Sequence, residues 1–234
     1  MLLFKRRYKV LITDIAGTIC DKYSMAPYHA FKSSFNDHDI DITDEEIRRY
    51  MGFRKQDHIA KVLNIRNIDD KALELEIYKT YKEEQMRIMY EQKYSTLFPE
   101  AKYMLETLRK NGIKIGITTG YTRELVEPLL KSFETQNFVP DYVVTSDEVY
   151  NGRPEPDAIQ KILKYFNEFP EQTIKIGDTV ADIQEGINAG CTSVGVISTS
   201  SLFMQYGQSE KATRKTMYDI GANHVIYKFS DMML

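Results

Sequence analysis

Val10-Leu11-Ile12-Thr13-Asp14-Ile15-Ala16-Gly17-Thr18 places an aspartate where a short apolar run stops and a glycine turn begins. An aliphatic, β-branched run of this length reads as a buried strand, and an ionisable group at its exit points to chemistry. The run extends over 8–13, and similar runs recur at 113–118, 142–145, 173–176, 193–197 and 224–227. Helix-compatible stretches lie between them at 99–110, 123–133, 155–166, 181–189 and 213–220, the first opening on Pro99. Strand and helix alternate, so the expected fold class is α/β, with a parallel sheet covered on both faces.

Residues 23–98 interrupt that rhythm with charged, amphipathic, helix-like segments and no convincing strand. Thr43 and Glu46 form a capping box ahead of Ile47 and Tyr50. Gly52 then breaks the pattern, 55–63 resumes it, and 64–70 reads as the next break. The stretch 71–92 carries Leu73, Ile77, Tyr81 and Ile88 at spacings suited to a helix or a helical hairpin. The expected organisation is a core of 1–22 and 99–234 with an inserted helical cap domain at 23–98.

The composition sets outer bounds. Across 234 residues, 31 Lys and Arg face 34 Asp and Glu for a formal net charge of -3, which gives no general nucleic-acid footprint. An anionic substrate must therefore be met by local groups. Leu2, Leu3 and Phe4 precede Lys5-Arg6-Arg7, the reverse of a secretory leader's basic-then-apolar order, and no stretch has the length of a membrane span. Two distant cysteines, Cys20 and Cys191, make no disulfide framework, which fits a reducing cytoplasm. No nucleic-acid or membrane partner is expected.

Four segments bring polar groups to strand ends, where functional groups of a parallel sheet collect. Asp14 and Thr18 are the first. Thr118-Thr119-Gly120-Tyr121 offers small residues that admit a phosphoryl oxygen to backbone N–H groups. Gly152-Arg153-Pro154 supplies a permanent cation, and Gly177-Asp178-Thr179-Val180-Ala181-Asp182 supplies two carboxylates suited to magnesium, a hard cation that prefers oxygen. Singly, each has a plainer reading as a helix cap, a turn or a surface charge.

Together and in this order they resemble the four motifs of the haloacid dehalogenase (HAD) superfamily, whose Rossmannoid core carries an inserted cap. The resemblance implies that Asp14 is a nucleophile and magnesium ligand, that the Ala16 carbonyl and Asp178 complete the Mg2+ set, and that Asp182 supports its outer shell. It also implies that Thr18, Thr119, Gly120 and Arg153 meet the phosphoryl group. Within the superfamily, Ala16 in place of the usual acid, Arg153 in place of lysine, and Met51-Gly52-Phe53-Arg54-Lys55-Gln56-Asp57-His58 look like phosphonoacetaldehyde hydrolase, or phosphonatase. By that match Lys55 forms a Schiff base with the substrate aldehyde, with Met51, His58 and Tyr121 around it, and the cap mediates a homodimer. Tyr23, Ser24 and the segment 198–208 depart from the family pattern and leave a related 2-oxoalkylphosphonate open as substrate.

Elementary chemistry bears on Lys55 independently. Lys55 and His58 stand three apart and share one helix face. At its ordinary pKa of about 10.4 a lysine is protonated and cannot attack a carbonyl. Burial and a nearby cation, for which Arg54 is the candidate, would lower it by two to three units, about 3 to 4 kcal/mol of differential interaction. Two other readings fit the same letters: a phosphate monoester hydrolase that recruits its acid elsewhere, for example His58, and a non-catalytic binding protein on the same fold. The retained set of Asp14, Thr119, Arg153, Asp178 and Asp182 weighs against the second. A mutase would need acid–base help where Ala16 stands. His29, His38 and His224 carry no ligand pattern.

Overall fold

Aliphatic runs become strands here because both faces of the sheet are covered. The computed structural model describes residues 8–233, so the N-terminal order that argues against a secretory leader lies outside the described residues. The strands are β1 (Val10–Thr13), β2 (Lys114–Thr118), β3 (Tyr142–Val144), β4 (Thr173–Gly177), β5 (Thr192–Val196) and β6 (His224–Ile226). They form one sheet in the order β3-β2-β1-β4-β5-β6, and every pairing is parallel. Each falls within a residue or two of its expected range.

The strand period of two sorts side chains between layers. Leu11 of β1 joins Ile115, Ile117, Leu105 and Leu129 on one face, whereas Val10 and Ile12 join Ile159, Ile162 and Phe166 on the other. Lys175 is the exception, an ammonium placed mid-strand and wholly buried.

Between β1 and β2 the chain is helical: α1 (Met25–Asn36), α2 (Asp44–Arg49), α3 (Lys55–Ile65), α4 (Lys71–Met89) and α5 (Gln92–Ser95). The capping box at Thr43 and Glu46 forms, each backbone N–H meeting the other's side chain. The stretch left open between helix and hairpin is one helix for most of its length. The Asp70 carboxylate accepts from the Ala72 and Leu73 N–H groups, and the sequence carries no Gly or Pro until α4 ends. One apolar cluster runs from the sheet through Ile15 and Ile19 into this helical segment at Phe31, Ile59, Ile77 and Tyr81. The remaining helices are α6 (Pro99–Lys110), α7 (Arg123–Thr135), α8 (Asp157–Phe166), α9 (Val180–Asn188), α10 (Ser201–Gln205) and α11 (Glu210–Ile220). Of these α10 was not expected. No helix among the described residues is long and apolar enough to cross a membrane.

Candidate active site

β1 sits between β2 and β4, so loops from all three strand ends meet at the point where the strand order turns. The Asp14 N–H still donates to the Ile176 carbonyl at 3.1 Å, which fixes the carboxylate at the end of the ladder. Gly17 follows at φ +79°, and a Cβ there would lie 2.4 Å from an Asp178 carboxylate oxygen. Only a glycine lets the first and last motifs approach this closely. Thr18 donates to Asp178 at 3.2 Å, and the Ser201 N–H donates to its other oxygen at 2.9 Å.

Arg153 organises the floor. Its Nη1 lies 2.8 Å from an oxygen of both Asp14 and Asp182, its Nε lies 2.9 Å from Glu185, and its Nη2 donates to the Thr118 carbonyl and hydroxyl. Lys175 adds a second buried cation, 2.9 Å from Asp182 and 3.2 Å from Glu185. Burial pushes Asp182 up, but the Arg153 and Lys175 charges outweigh it and hold the carboxyl below the usual range. Asp14 goes the other way: burial and the Asp182 charge raise it more than Arg153 and Lys175 lower it. Asp178 is raised furthest, by burial and then by the charges of Asp182 and Asp14.

That asymmetry bears on a metal. One oxygen from each of Asp14, Asp178 and Asp182 lies within 4.8 Å of the others, all buried. Three like charges at this separation disfavour one another, and a divalent cation with oxygen preference relieves the repulsion. Asp182 already has two cations and the Thr179 hydroxyl, Asp14 shares Arg153 with it, and Asp178 makes no ion pair among the described residues. The donor set therefore fits a hard cation on Asp14 and Asp178, with Asp182 beside it.

The helical segment closes the cleft from above. Met51 and Gly52 enter the site ahead of α3, and Lys55 opens the helix with 4% of its surface exposed. Its ammonium lies 5.1 Å from the centre of the Tyr121 ring and 5.6 Å from that of Phe31. Burial is the largest influence on it and drives its pKa from 10.5 down to about 8; Asp14 opposes the shift and Arg153 assists it. Arg54 does not play the part expected of it. Its guanidinium turns away to the Val149 and Tyr150 carbonyls, and the assisting cation is Arg153. His58 is fully buried against Phe31, with ring centres 4.0 Å apart, and Tyr50. Burial and then the Lys55 charge hold it well below its ordinary value, so it is neutral near pH 7. Neither of its ring nitrogens makes a well-formed hydrogen bond.

Asp14, Ala16, Met51, Gly52, Lys55, Thr119, Gly120, Tyr121, Arg153 and Thr179 line one cavity of ≈ 20 Å³, joined by Ser24 and Pro27. A water needs about 10 to 15 Å³ by this measure, so this closed arrangement admits little more than a solvent molecule. A substrate must enter with the helical segment lifted. Of the residues singled out in the sequence, Thr18, Asp178 and Asp182 lie beside the cavity through Asp14 and Arg153. His58 lies behind Lys55, within the helical segment.

Lys175, Glu185 and Pro27 were not singled out in the sequence, and Ser24 and the segment 198–208, which holds the Thr199-Ser200-Ser201 hydroxyl run, stood out only as departures from the family pattern. Thr199 donates to the Gly17 carbonyl and Ser200 to that of Asp178, both at 2.6 Å. The available signal was Lys175 itself, a charge between Ile174 and Ile176 in an otherwise apolar run. Tyr23, Ser24 and Asp21 all adopt positive φ at the junction between β1 and α1. Tyr23 is held there by its N–H on the Thr199 carbonyl at 2.7 Å and by Arg48 on its own carbonyl at 3.2 Å.

Comparison with known proteins gives an independent view. The haloacid dehalogenase-like hydrolase family matches over residues 11–196. A phosphonoacetaldehyde hydrolase of Bacillus cereus is 37% identical over 205 residues, covering 83% of this chain and 78% of that protein. One from Bacillus cytotoxicus is 33% identical and covers 97% of this chain and 94% of its own length. Among solved structures, a phosphonoacetaldehyde hydrolase-like protein of Oleispira antarctica superposes with a TM-score of 0.88 at 28% identity, covering 97% of this chain and 90% of the other.

Proposed function

Since this chain belongs to the haloacid dehalogenase-like hydrolase family, we propose that it hydrolyses the carbon–phosphorus bond of phosphonoacetaldehyde or a close 2-oxoalkylphosphonate. The products are phosphate and an aldehyde. Residues 1–22 and 99–234 act as the catalytic core and 23–98 as a cap that closes on it. The observation that carries the reading is Lys55, a buried amine of lowered pKa lining the same cavity as Asp14 and Arg153. Relatives named phosphonoacetaldehyde hydrolase at 33–38% identity support the same substrate class.

A carbanion is a poor leaving group, and Ala16 has no proton to give. The cap supplies an electron sink instead. The unprotonated Lys55 amine adds to the substrate aldehyde and, with uptake of one proton and loss of water, forms an iminium. The Asp14 carboxylate attacks phosphorus, the C–P electron pair moves toward the iminium nitrogen, and an enamine and an aspartyl phosphate result. Protonation and hydrolysis of the enamine free the aldehyde and Lys55; a second water releases phosphate from Asp14. Arg153, tied to Thr118 and Glu185, presents Nη1 beside Asp14 to stabilise the transferring group. Thr119 and Gly120 receive phosphoryl oxygens, whereas Thr18, expected to join them, donates its hydroxyl to Asp178 and orients that carboxylate instead. Met51 and Tyr121 shield Lys55 from water, and the neutral His58 behind it takes part in proton movement at the amine. Asp14, Asp178 and the Ala16 carbonyl would hold magnesium, with Asp182 supporting them from beside the site. Bound there, it would offset the repulsion between carboxylate and phosphonate.

The test is product release from phosphonoacetaldehyde by the protein and by Lys55→Arg, which keeps the charge but forms no imine. The expected result is stoichiometric phosphate and acetaldehyde from the first, with at least about a 10³-fold loss in the second, as for removal of a covalent catalyst. Turnover that survives Lys55→Arg overturns the proposal.

A further inference from the structure

Consecutive residues of the loop entering α3 each meet a different loop of the core. A Cβ on Gly52 would lie 2.3 Å from the Thr179 hydroxyl, and a Cβ on Gly120 would lie 2.5 Å from the Phe53 carbonyl oxygen. Arg54 completes the series. Its Nη2 donates to the Val149 and Tyr150 carbonyls at 3.1 and 3.0 Å, and a Cβ on Gly152 would meet the Arg54 Cβ at 3.0 Å. Arg54 is covalently joined to Lys55, and Gly152 is covalently joined to Arg153. The junction thus stands one peptide from Lys55 and one from Arg153.

We propose that Arg54 is a positioning residue that couples closure of the helical segment to the seating of the Arg153 loop, so that Lys55 and Arg153 are brought into place together. The kinetic consequence rests on the reaction proposed above; the coupling itself is a property of the two loops. A guanidinium suits the role because its rigid plane aims the two N–H donors of one nitrogen, Nη2, at two carbonyls of one loop, whereas a lysine offers a mobile point charge. Other contacts between the helical segment and the rest of the chain lack this placement. Lys82 pairs with Glu124 at 2.7 Å in a solvated, screened setting, and Arg48 donates to Ser201 at 3.2 Å on the hinge side. Neither adjoins Lys55 or Arg153 in the chain.

Arg54→Met removes the donors and keeps an apolar stem; Arg54→Lys restores a cationic donor group on a mobile stem. Two readouts need no turnover: the rate at which acetic anhydride acylates Lys55, followed by peptide mass spectrometry, and amide hydrogen exchange at 51–55 and 149–153. Arg54→Met is expected to raise both by about tenfold, the net change for two charge-assisted hydrogen bonds at a junction exposed enough for water to replace much of their value, with Arg54→Lys between it and the native protein. The KM for phosphonoacetaldehyde is expected to rise about tenfold with kcat changed far less, because a smaller closed fraction weakens apparent binding. Unchanged acylation and exchange, or faster exchange at 51–55 alone, would overturn the coupling. Faster exchange in both loops from a protein inert toward phosphonoacetaldehyde would support the coupling and remove the proposed reaction. If Arg54→Met fails to fold, Arg54→Lys carries the same measurements, and native values for it would count against the proposal.

Discussion

Lys55 is an ammonium that folding takes out of water and places over two aromatic rings, and no ion pair among the described residues holds it. Its pKa near 8 in the folded protein, against 10.5 ordinarily, sets two signs. For stability, both folded and unfolded chains carry the proton below about pH 8, and the folded state bears a desolvation cost of about 3 kcal/mol. Between about 8 and 10.5 the unfolded chain keeps a proton that the folded one has released, so this cost fades as pH rises. Lys55→Met should therefore raise unfolding free energy at pH 7 by up to about 3 kcal/mol and by much less at pH 10, read by denaturant titration. For activity, kcat/KM should climb through about pH 8 as the free amine appears. A profile flat from pH 6 to 9 would remove the amine from the reaction. Asp14, Arg153 and Lys55 were legible as letters because each sits in a patterned stretch. Lys175 and Glu185 were not, because what gives them meaning is Arg153 and Asp182, brought to them only by the fold.

Among elements, the strands were legible almost to the residue, since each is an aliphatic run long enough to be buried on both faces and bounded by turn residues. The short α10 was not. At five residues it has too little periodicity to register, and it is fixed by the Ser200 hydroxyl on the Leu202 N–H and by Asp178 on the Ser201 N–H. Close contact between loops was also invisible in the sequence. Gly120 read as a turn residue that admits an anion, yet it also makes room for the Phe53 and Gly52 carbonyls when the helical segment is down. Gly120→Ala should leave the thermal midpoint nearly unchanged while lowering kcat/KM by about 10- to 100-fold, the cost of forcing one methyl into a packed contact. Native kcat/KM in that variant would show that the reaction does not need the closed arrangement.

At the scale of the whole molecule, the site exists only where two parts of the chain face each other. The sheet brings Asp14, Arg153, Asp178 and Asp182 together from distant positions, and the helical segment delivers Lys55 into the same cavity. The run of helices between β1 and β2 was legible in the sequence, through the change from alternating strands and helices to helices alone. It could not indicate how tightly they meet, because that depends on Gly17, Gly52 and Gly120 allowing approaches that no local pattern records. The most direct test of the account is borohydride reduction during turnover of phosphonoacetaldehyde, followed by peptide mapping. A stable adduct is expected on the peptide carrying Lys55, with loss of activity in step with its formation, and none in Lys55→Arg. Phosphate release that proceeds undiminished in borohydride, with Lys55 unmodified, would contradict it.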